Sequence, residues 1–482
     1  MLRLLRLLVP LRTVITVHNT LGHSVQPFEP IVDGAVGMYV CGPTVQSAPH
    51  LGHGRFAVAF DAIRRYLSWR GYDVTYVQNV TDIDDKIISN AAAQGIPPEH
   101  LANEMAEQFQ ASSNRLNVLV PNVEPRATDH IDEMVGLIGR LIDQGLAYPA
   151  QGDAYFRVRA LDGYGKLSGH NLEDLLSGAR IEPGDQKEDP LDFALWKSAK
   201  PGEPQWESPW GPGRPGWHIE CSAMAAKYLG ESFDIHAGGN DLIFPHHENE
   251  IAQSEGASGQ PFARYWLHNG MVNLVGEKMA KSTGHIIDLE IAIDAYGGAA
   301  VRLFYLRAQY RSPLEFSEEL LEDAATSMER LRAFGRRSAS AEHVEADEGI
   351  LARFSTAMDD DFNTPEALAV LFDAVRFGNT ALDADDDVAA TASAFLTMAD
   401  VLGLDLSSDS LDDLAAKIDT LAKSLGIASG DTPDATMAAL VEARGSARAD
   451  KQWEVADGIR NGLAELGIVI EDSADGARWH RR

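Results

Sequence analysis

The sequence predicts an α/β protein with a doubly wound parallel sheet, an inserted connective domain, an α-helical bundle and a small C-terminal module of mixed α/β structure. Three observations support this fold class. A strand–helix–strand pattern runs from Met38 to Val80. Strand and helix patterns alternate again after about Gly213, beyond a stretch of mixed signals. From about Glu315 onward the pattern is almost entirely helical.

The strand–helix–strand pattern predicts the first half of the sheet. The segment GMYVCG reads as a strand that ends in the turn GPTVQSAP. A helix is expected from about Leu51, because apolar residues recur at spacings of three and four on one face, and Gly71 should end it. The segment VTYVQNV then alternates at period two. It can return parallel to the first strand through a right-handed crossover, which gives a Rossmann-like fold.

The second half of the sheet is predicted from the helix HIECSAMAAKYL, the strand FDIHAGG and a helix that opens at Pro245, where proline suits the first turn. Near the C-terminus, alternation along the segment LGIVIEDSADGARW indicates a small α/β module. The expected regions, in chain order, are a leader or disordered arm at 1–14, the first Rossmann-like half at 15–127, the connective insertion at 128–212, the second half at 213–262, a lysine-loop region at 263–314, the helical bundle at 315–425 and the C-terminal module at 426–482.

Composition places the chain among globular proteins. Of its 482 residues, 45% are hydrophobic and 23% are charged, which is enough apolar material for several cores. No apolar run reaches the roughly 18 residues of a membrane-spanning helix. Cys41 and Cys221 are the only cysteines, which excludes a disulfide framework and paired zinc knuckles. A reducing, cytoplasmic compartment is therefore expected.

Charge gives mixed indications. The formal net charge of −31 repels phosphate at long range, but an RNA-binding face needs only a local basic stripe, which a sum over the chain hides.

The leader departs from this acidity, because it holds Arg3, Arg6 and Arg12 and no acidic residue. A transit peptide is one interpretation, but the segment lacks serine. A misplaced start codon or a short disordered arm fits better.

Two histidines, His50 and His53, lie at the predicted start of the first helix. Ligands of open α/β sheets bind at the carboxyl ends of the strands, where helix amino termini offer N–H groups to phosphate. Imidazoles there can add hydrogen-bond donors for a nucleotide. Two solvated surface histidines are the competing interpretation, which the strand–turn–helix context disfavours.

The segment GEKMAKSTG contains Lys278 and Lys281 between glycines. Two lysines on such a loop can close over a triphosphate and stabilise the charge that builds on departing pyrophosphate. Taken alone, the segment would read as an exposed basic turn. Together with the histidine pair it predicts a nucleotide site.

Both cysteines can belong to one metal site. Cys41 ends a strand, Cys221 lies on a helix of the other half, and His246 and Glu250 are four residues apart, which is one face of a helix. Two thiolates, an imidazole and a carboxylate form a sensible zinc set. Two buried structural thiols are the competing interpretation, and His247 is an equally available ligand.

Seven segments follow one another in an order typical of one enzyme family. They are YVCGPTV, HLGHGR, NVTDIDDKI, GRPGWHIECSAM, FDIHAGGNDLIFPHHENEIAQSE, HNGMV and GEKMAKS. With them the chain resembles the cysteinyl-tRNA synthetases, which are class I aminoacyl-tRNA synthetases, from about Val17 to Trp479. The resemblance implies an ATP-dependent ligase that converts L-cysteine to cysteinyl adenylate and pyrophosphate, and then transfers cysteine to the terminal adenosine of cysteine tRNA. It also suggests a monomer.

The resemblance implies three sets of site residues. They are zinc ligands at Cys41, Cys221, His246 and Glu250; an amino-acid pocket of Thr44, Thr81, Trp217, His236 and Asp241; and ATP-binding, catalytic residues His50, His53, Lys278 and Lys281, with Mg²⁺ on the phosphates. Zinc would read the thiolate of cysteine and reject the hydroxyl of serine, so no editing domain is expected.

The C-terminal segment from 447 to 479 is similar to the anticodon-reading end of the family, with Arg448, Asp457 and Asp472 at its polar positions. Carboxylates can accept hydrogen bonds from the edges of unstacked bases, and Trp453 or Trp479 could stack on them. A solvated helix face is the competing interpretation for any one of these residues.

Two single residues and one four-residue segment depart from the family pattern. Ala280 replaces the middle serine of the lysine loop, His285 stands where asparagine is expected, and Gln46 to Pro49 replace a tyrosine-containing turn. Both lysines are retained.

Other functions remain as alternatives. A ligase that joins cysteine to an amino sugar would share every catalytic segment, and a nucleotidyltransferase would share the histidine pair, but neither needs the C-terminal tail. A non-catalytic tRNA-binding paralogue would be expected to lack a lysine, a histidine or a zinc ligand, and none is missing.

Overall fold

A computed structural model describes residues 14–173, 186–274, 287–341, 344–406, 414–430, 432–473 and 476–481. Most of the leader, both lysines of the lysine loop and the departures Ala280 and His285 lie outside the described residues. The chain forms two compact units, of which the first ends at Leu404 and the second begins at Asp405.

The first half of the main sheet follows a small antiparallel hairpin that the sequence did not indicate. The hairpin joins β1 to β2, and β3 and β4 then pair in parallel, as predicted. Helix α1 connects them and ends before Gly71, whose φ of +93° is a left-handed conformation that favours glycine. The elements are β1 Thr16–Asn19, β2 Ser24–Pro27, β3 Ala35–Val40, α1 Leu51–Trp69 and β4 Asp73–Gln78.

The connective insertion contains a four-stranded antiparallel sheet in the order β5-β6-β7-β8. Three helices lead from the main sheet to it, and the last of them buries Met134, Leu137 and Leu141 along one face. The elements are α2 Asp85–Gln94, α3 Pro98–Arg115, α4 Ile131–Asp143, β5 Ala147–Ala150, β6 Asp153–Phe156, β7 Phe193–Ser198 and β8 Gly213–Pro215.

The second half completes a parallel sheet in the order β10-β9-β3-β4, which confirms the doubly wound topology. The order reverses between β3 and β9, and a crevice at such a switch point is where open α/β sheets bind ligands. Six of the seven residues of β9 are buried, as expected for a central parallel strand. The elements are α5 Trp217–Leu229, β9 Phe233–Gly239, α6 Glu248–Ser258 and β10 Ala263–Asn269.

The helix predicted to open at Pro245 does begin there, directly after a kink at Phe244. Phe244 has extended backbone angles, φ −138° and ψ 132°, because a residue that precedes proline is disfavoured in the helical region. Phe244 is the one residue with non-helical angles in the irregular helical turn Ile243–His247, which continues directly into α6 at Glu248. His246 and Glu250 therefore lie one turn apart on a continuous helical segment, as their spacing of four predicted.

Helices dominate the remainder of the first unit, as predicted. The short strands β11 and β12 pair in parallel before the bundle begins. The elements are β11 Val272–Leu274, α7 Leu289–Tyr296, α8 Gly298–Leu306, β12 Leu314–Phe316, α9 Glu318–Arg337, α10 Glu348–Asp359, α11 Thr364–Asp383 and α12 Ala389–Val401.

The second unit is a small α/β module with its own core, as the fold prediction expected. Its buried residues include Ile418, Leu440, Ile459 and Ile468. The expected bundle extended to residue 425, whereas α13 lies in this unit because its apolar face packs on the other two helices. The elements are α13 Ala415–Ser424, α14 Pro433–Ala449, α15 Trp453–Glu465, β13 Ile468–Ser473 and β14 Gly476–Arg481.

Alanine substitutions at two glycines of the helical bundle should change the free energy of unfolding in opposite directions. A Cβ at Gly378 would collide with the buried ring of Phe334, whereas a Cβ at Gly335 would lie 3.8 Å from Phe395, an ordinary contact. Gly378→Ala should therefore lower the free energy of unfolding by about 1–3 kcal/mol through overpacking. Gly335→Ala should raise it by up to about 1 kcal/mol, because alanine favours a helix interior. Urea unfolding of the two variants tests this, and a gain in both would contradict the packing argument.

Candidate metal and nucleotide site

The candidate metal ligands converge where the strand order reverses. Cys41 follows the carboxyl end of β3, and its N–H donates to the carbonyl of Ala237 in β9. Cys221 lies on α5, one turn after Trp217. His246 and Glu250 come from the irregular turn and from α6. Both halves of the sheet therefore contribute to one buried cluster.

The four predicted ligands form a group whose donor atoms all lie within 4.8 Å of one another. All four residues are at least 96% buried. The Cys41 Sγ lies 3.4 Å from Glu250 Oε1, and His246 Nε2 lies 3.0 Å from the same oxygen. Two sulfurs, one nitrogen and one oxygen at this spacing are a donor set that suits a metal ion, and zinc in particular.

A second, overlapping group consists of Cys41, His236, His247 and Glu250. Glu250 Oε2 accepts a hydrogen bond of 2.8 Å from His236 Nε2, and His247 Nε2 lies 3.9 Å from Glu250 Oε1. The Nδ1 of His236 and the Nε2 of His247 are buried and have no hydrogen-bond partner among the described residues. Geometry therefore offers two donor sets that share one thiol and one carboxylate.

Two of the four candidate ligands are deprotonated near neutral pH. Burial alone would raise the pKa of the Glu250 carboxyl, but the neighbouring His236 and His246 lower it to about 2. Burial would also raise the pKa of the Cys221 thiol, but hydrogen bonding to Cys41 and to His246 lowers it to about 6. Burial, together with Cys221 and Glu250, raises the pKa of Cys41 well above its usual range. One carboxylate and one thiolate are thus available near neutral pH. Burial would lower the pKa of His246, but Glu250 and Cys221 raise it to about 10, so a metal ion would have to displace protons from His246 and Cys41.

Two neighbours orient His246. The Nδ1 atoms of His218 and His246 are 2.9 Å apart, and the ring of Trp217 lies 4.2 Å from that of His246, centre to centre. A partner on the second ring nitrogen fixes the tautomer and the direction of a metal-binding histidine. Trp217 is also 37% exposed, so one part of this expected pocket residue is open to solvent.

Thr44 and Thr81 lie side by side just beyond the strands. They form a parallel bridge in which the Val45 N–H donates to the carbonyl of Thr81. The Thr81 hydroxyl donates to Glu220 Oε2 over 3.0 Å and accepts from Asn79 Nδ2 over 3.3 Å. Asn79 Oδ1 in turn lies 3.6 Å from Cys221 Sγ.

Asn79 and Glu220 were not among the predicted site residues. Asn79 lies two positions before Thr81, and Glu220 lies one position before Cys221, in the segments NVT and HIEC. Their closeness in sequence to these predicted site residues could have pointed to them. Both side chains contact Thr81, and these contacts connect the two halves of the sheet. The spacing of residues within one segment cannot predict such a contact.

Asp241 does not join the buried cluster. It lies exposed in the turn Asn240–Leu242 that follows β9, with its carboxylate against Gly239, where a Cβ would collide with it. Asp241 is thus exposed just beyond β9, whereas His236 is fully buried within that strand, stacked on Trp266 at 4.3 Å.

His50 and His53 cap α1. The His50 Nδ1 accepts from the Gly52 N–H, and the His53 Nδ1 accepts from the His50 N–H, each over 3.1 Å. A neutral imidazole that accepts at Nδ1 carries its proton at Nε2. Both rings are therefore set as Nε2–H donors at a helix amino terminus, where anions bind. The H-x-x-H spacing matches that of a capping box and could have predicted this.

The three predicted anticodon contacts all lie in the second unit. Arg448 is exposed in the last turn of α14. Asp457 on α15 forms an ion pair of 3.1 Å with Arg460, and Asp472 lies in β13.

In the described part of the chain, no helix is both long and apolar enough to cross a membrane.

Three family models match the chain in succession. Residues 27–326 match the class I (C) catalytic domain of tRNA synthetases. Residues 353–407 match the DALR domain, and residues 432–479 match the anticodon-binding domain of cysteinyl-tRNA ligases. The first of these models alone spans more than half of the chain.

Curated relatives match almost the whole length of the chain. The cysteine–tRNA ligase of Stutzerimonas stutzeri A1501 is 49% identical over 96% of this chain and 99% of its own length. That of Syntrophotalea carbinolica is 47% identical over 97% and 99%. Among solved structures, Mycobacterium tuberculosis methionyl-tRNA synthetase in complex with methionyl-adenylate shares the fold, with 18% identity, a TM-score of 0.57, and coverage of 76% of this chain and 89% of that one. The chain therefore belongs to the cysteine–tRNA ligase family of class I aminoacyl-tRNA synthetases.

Proposed function

We propose that this enzyme activates L-cysteine with ATP and transfers it to the 3′-terminal adenosine of cysteine tRNA, with a zinc ion that selects the substrate thiol. The observation that carries the zinc assignment is the buried group of two thiols, one imidazole and one carboxylate at the switch point of the sheet. Full-length similarity to cysteine–tRNA ligases supports the reaction.

Cys41, Cys221, His246 and Glu250 would hold the zinc. We favour this set over the one with His236 and His247 because it includes both thiols, and sulfur ligands suit zinc. Zinc bound there supplies a Lewis acid that binds sulfur in preference to the hydroxyl of serine. His236 remains beside Glu250, where it holds the carboxylate in place.

The remaining residues bind and orient the substrates. Thr44 and Thr81 line the inner pocket, Trp217 borders it, and Asp241 lies at its rim and can attract the substrate ammonium. His50 and His53 donate to the phosphates of ATP, which also carry Mg²⁺. Lys278 and Lys281 neutralise the charge that builds on pyrophosphate as the cysteine carboxylate attacks the α-phosphate.

The second unit would recognise the tRNA. Arg448, Asp457 and Asp472 contact anticodon bases, which are unstacked and present hydrogen-bonding edges. Similarity of residues 432–479 to an anticodon-binding domain supports this role. We also propose that the protein acts as a monomer in the cytoplasm, where its two thiols stay reduced.

The test is cysteine-dependent exchange of pyrophosphate into ATP, with serine as the control amino acid, followed by charging of cysteine tRNA and a zinc assay. We expect exchange with cysteine only, charged tRNA and about one zinc per chain, because the four ligands make one closed set. Exchange without charging would instead indicate a ligase with a small-molecule acceptor, such as an amino sugar. No exchange in zinc-replete protein would indicate a non-catalytic tRNA-binding paralogue.

A further inference from the structure

Helix α3 contributes an aromatic ring to the surroundings of the histidine pair. The ring of Phe109 lies 4.7 Å from that of His53, centre to centre, and the two planes cross at 73°. The ring of His50 lies 3.7 Å from that of His53 and is tilted by 31° to it. His53 is thus in contact with two rings, one from its own turn and one from a separate helix.

The backbone around His53 is held by other elements. The Tyr305 hydroxyl of α8 donates to the carbonyl of Leu51 over 2.9 Å, and the Leu51 N–H donates to the carbonyl of Ile287 over 3.2 Å. A Cβ at Gly54 would lie only 2.9 Å from the side chain of Leu289, so the first turn of α1 lies directly against α7. These contacts fix the backbone of that turn, and the side-chain torsions are the remaining freedom of His53.

The direction of the His53 Nε2–H group depends on the torsion of the ring. Rotation about the bond between Cβ and Cγ has a broad, roughly two-fold profile, so a histidine ring that nothing holds can turn by half a circle. Such a turn would replace Nδ1 by a carbon, break the 3.1 Å hydrogen bond from the His50 N–H and point Nε2 elsewhere. Aromatic rings favour edge-to-face contacts such as the one with Phe109, which adds a second restraint on the same torsion.

Phe109 has a firm support of its own. It packs against the apolar cluster that includes the buried side chain of Met105, one turn earlier on α3. The helix is also joined to α7, because Ser112 and Arg115 both donate to the carboxylate of Glu290. The ring therefore projects from a helix that is packed and hydrogen-bonded on both sides of Phe109 in sequence.

We propose that Phe109 is a positioning residue that holds the imidazole of His53 in the orientation in which Nε2–H donates to the phosphates of ATP. This rests on the proposed function, because it assumes that His53 acts on ATP during adenylate formation. Phe109 carries no polar group and acts only through the histidine ring. Its loss should therefore change the rate of adenylate formation and leave the binding of cysteine as it is.

Phe109→Leu should lower kcat for cysteine-dependent pyrophosphate exchange by about 3- to 10-fold, the fold-change that corresponds to the energy of one aromatic pair. The KM for cysteine should not change, and Phe109→Tyr, which keeps the ring, should retain the wild-type kcat. Met105→Ala is the matched control, because Met105 belongs to the same apolar cluster but has no ring. This variant should lower the melting temperature and leave kcat unchanged well below that temperature.

A double-mutant cycle with His53→Asn separates positioning from packing. Phe109→Leu should cause no further loss of kcat in the His53→Asn background, because the ring that Phe109 orients is then absent. Equal fold losses in the two backgrounds, or no loss in the wild-type background, would overturn the inference. If Phe109→Leu does not fold, Phe109→Ile takes its place in the cycle.

Magnetic resonance spectra of the histidine rings make the test independent of turnover. In protein with isotope-labelled histidine, the ring signals of His53 are assigned by their absence from His53→Asn. They should shift or broaden in Phe109→Leu and stay in place in Met105→Ala, and unchanged signals in Phe109→Leu would contradict the inference even if kcat fell. The proposed function fails by a different result, which is the lack of cysteine-dependent exchange in the wild-type protein.

Discussion

Cys221→Ser should release the zinc and abolish cysteine-dependent pyrophosphate exchange. Cys221 belongs to the proposed ligand set, and a hydroxyl is a much poorer zinc ligand than a thiolate. Loss of an outer-shell partner typically costs roughly 10- to 100-fold in metal affinity or activity, so loss of a direct ligand should cost more. Metal analysis after dialysis and the exchange assay measure the two effects.

His247→Gln is the matched control, because it tests the competing donor set. His247 is fully buried and contacts His268 through Nδ1, and it belongs only to the group that omits Cys221. We expect this variant to retain its zinc. The opposite pattern, with zinc lost from His247→Gln and kept by Cys221→Ser, would assign the ion to the second group.

His53→Asn should lower kcat for adenylate formation by about 10²–10³, with little change in stability. The asparagine oxygen can replace Nδ1 as the acceptor from the His50 N–H, so the cap of α1 is kept. The variant lacks only the Nε2–H donor, and loss of one donor that acts on transition-state charge has an effect of this size. The rate of pyrophosphate exchange at saturating ATP and cysteine measures this change in kcat.

His53→Ala provides the comparison. It removes the donor and the cap together, so it should lose as much activity and, in addition, about 1 kcal/mol of stability. Thermal melts of the two variants separate the roles. Near-normal kcat in His53→Asn would rule out the Nε2 donor, and equal destabilisation of both would show that asparagine does not replace the cap.

Local patterns were sufficient for the elements of the sheet. The strand FDIHAGG and the helix after Pro49 were predictable, because burial on both faces and a spacing of three to four leave clear periods in sequence. The hairpin β1–β2 was not predictable, because each strand has only four residues and most of β2 is exposed to solvent. The helix predicted to open at Pro245 begins directly after the extended residue Phe244, and the spacing of four then places His246 beside Glu250.

The site was predictable as a list of residues but not as a network. Chemistry alone named two thiols, an imidazole and a carboxylate, and the structure brings their donor atoms together. Nothing in the sequence distinguishes His246 from His247, and both remain within reach of Glu250. The contact of Glu220 with Thr81 depends on tertiary packing between residues 139 positions apart, which no periodicity encodes.

Because the cluster draws its ligands from both halves of the sheet, a metal ion bound there would act as a cross-link. One thiol comes from the first half of the sheet, while the other three ligands follow the whole connective insertion. Joining such distant points restricts the unfolded chain, and the entropic gain grows only slowly with the length of the loop. The insertion can therefore lengthen or shorten among relatives at little thermodynamic cost. The same ion that reads the substrate would then also fasten together the two halves that form its pocket.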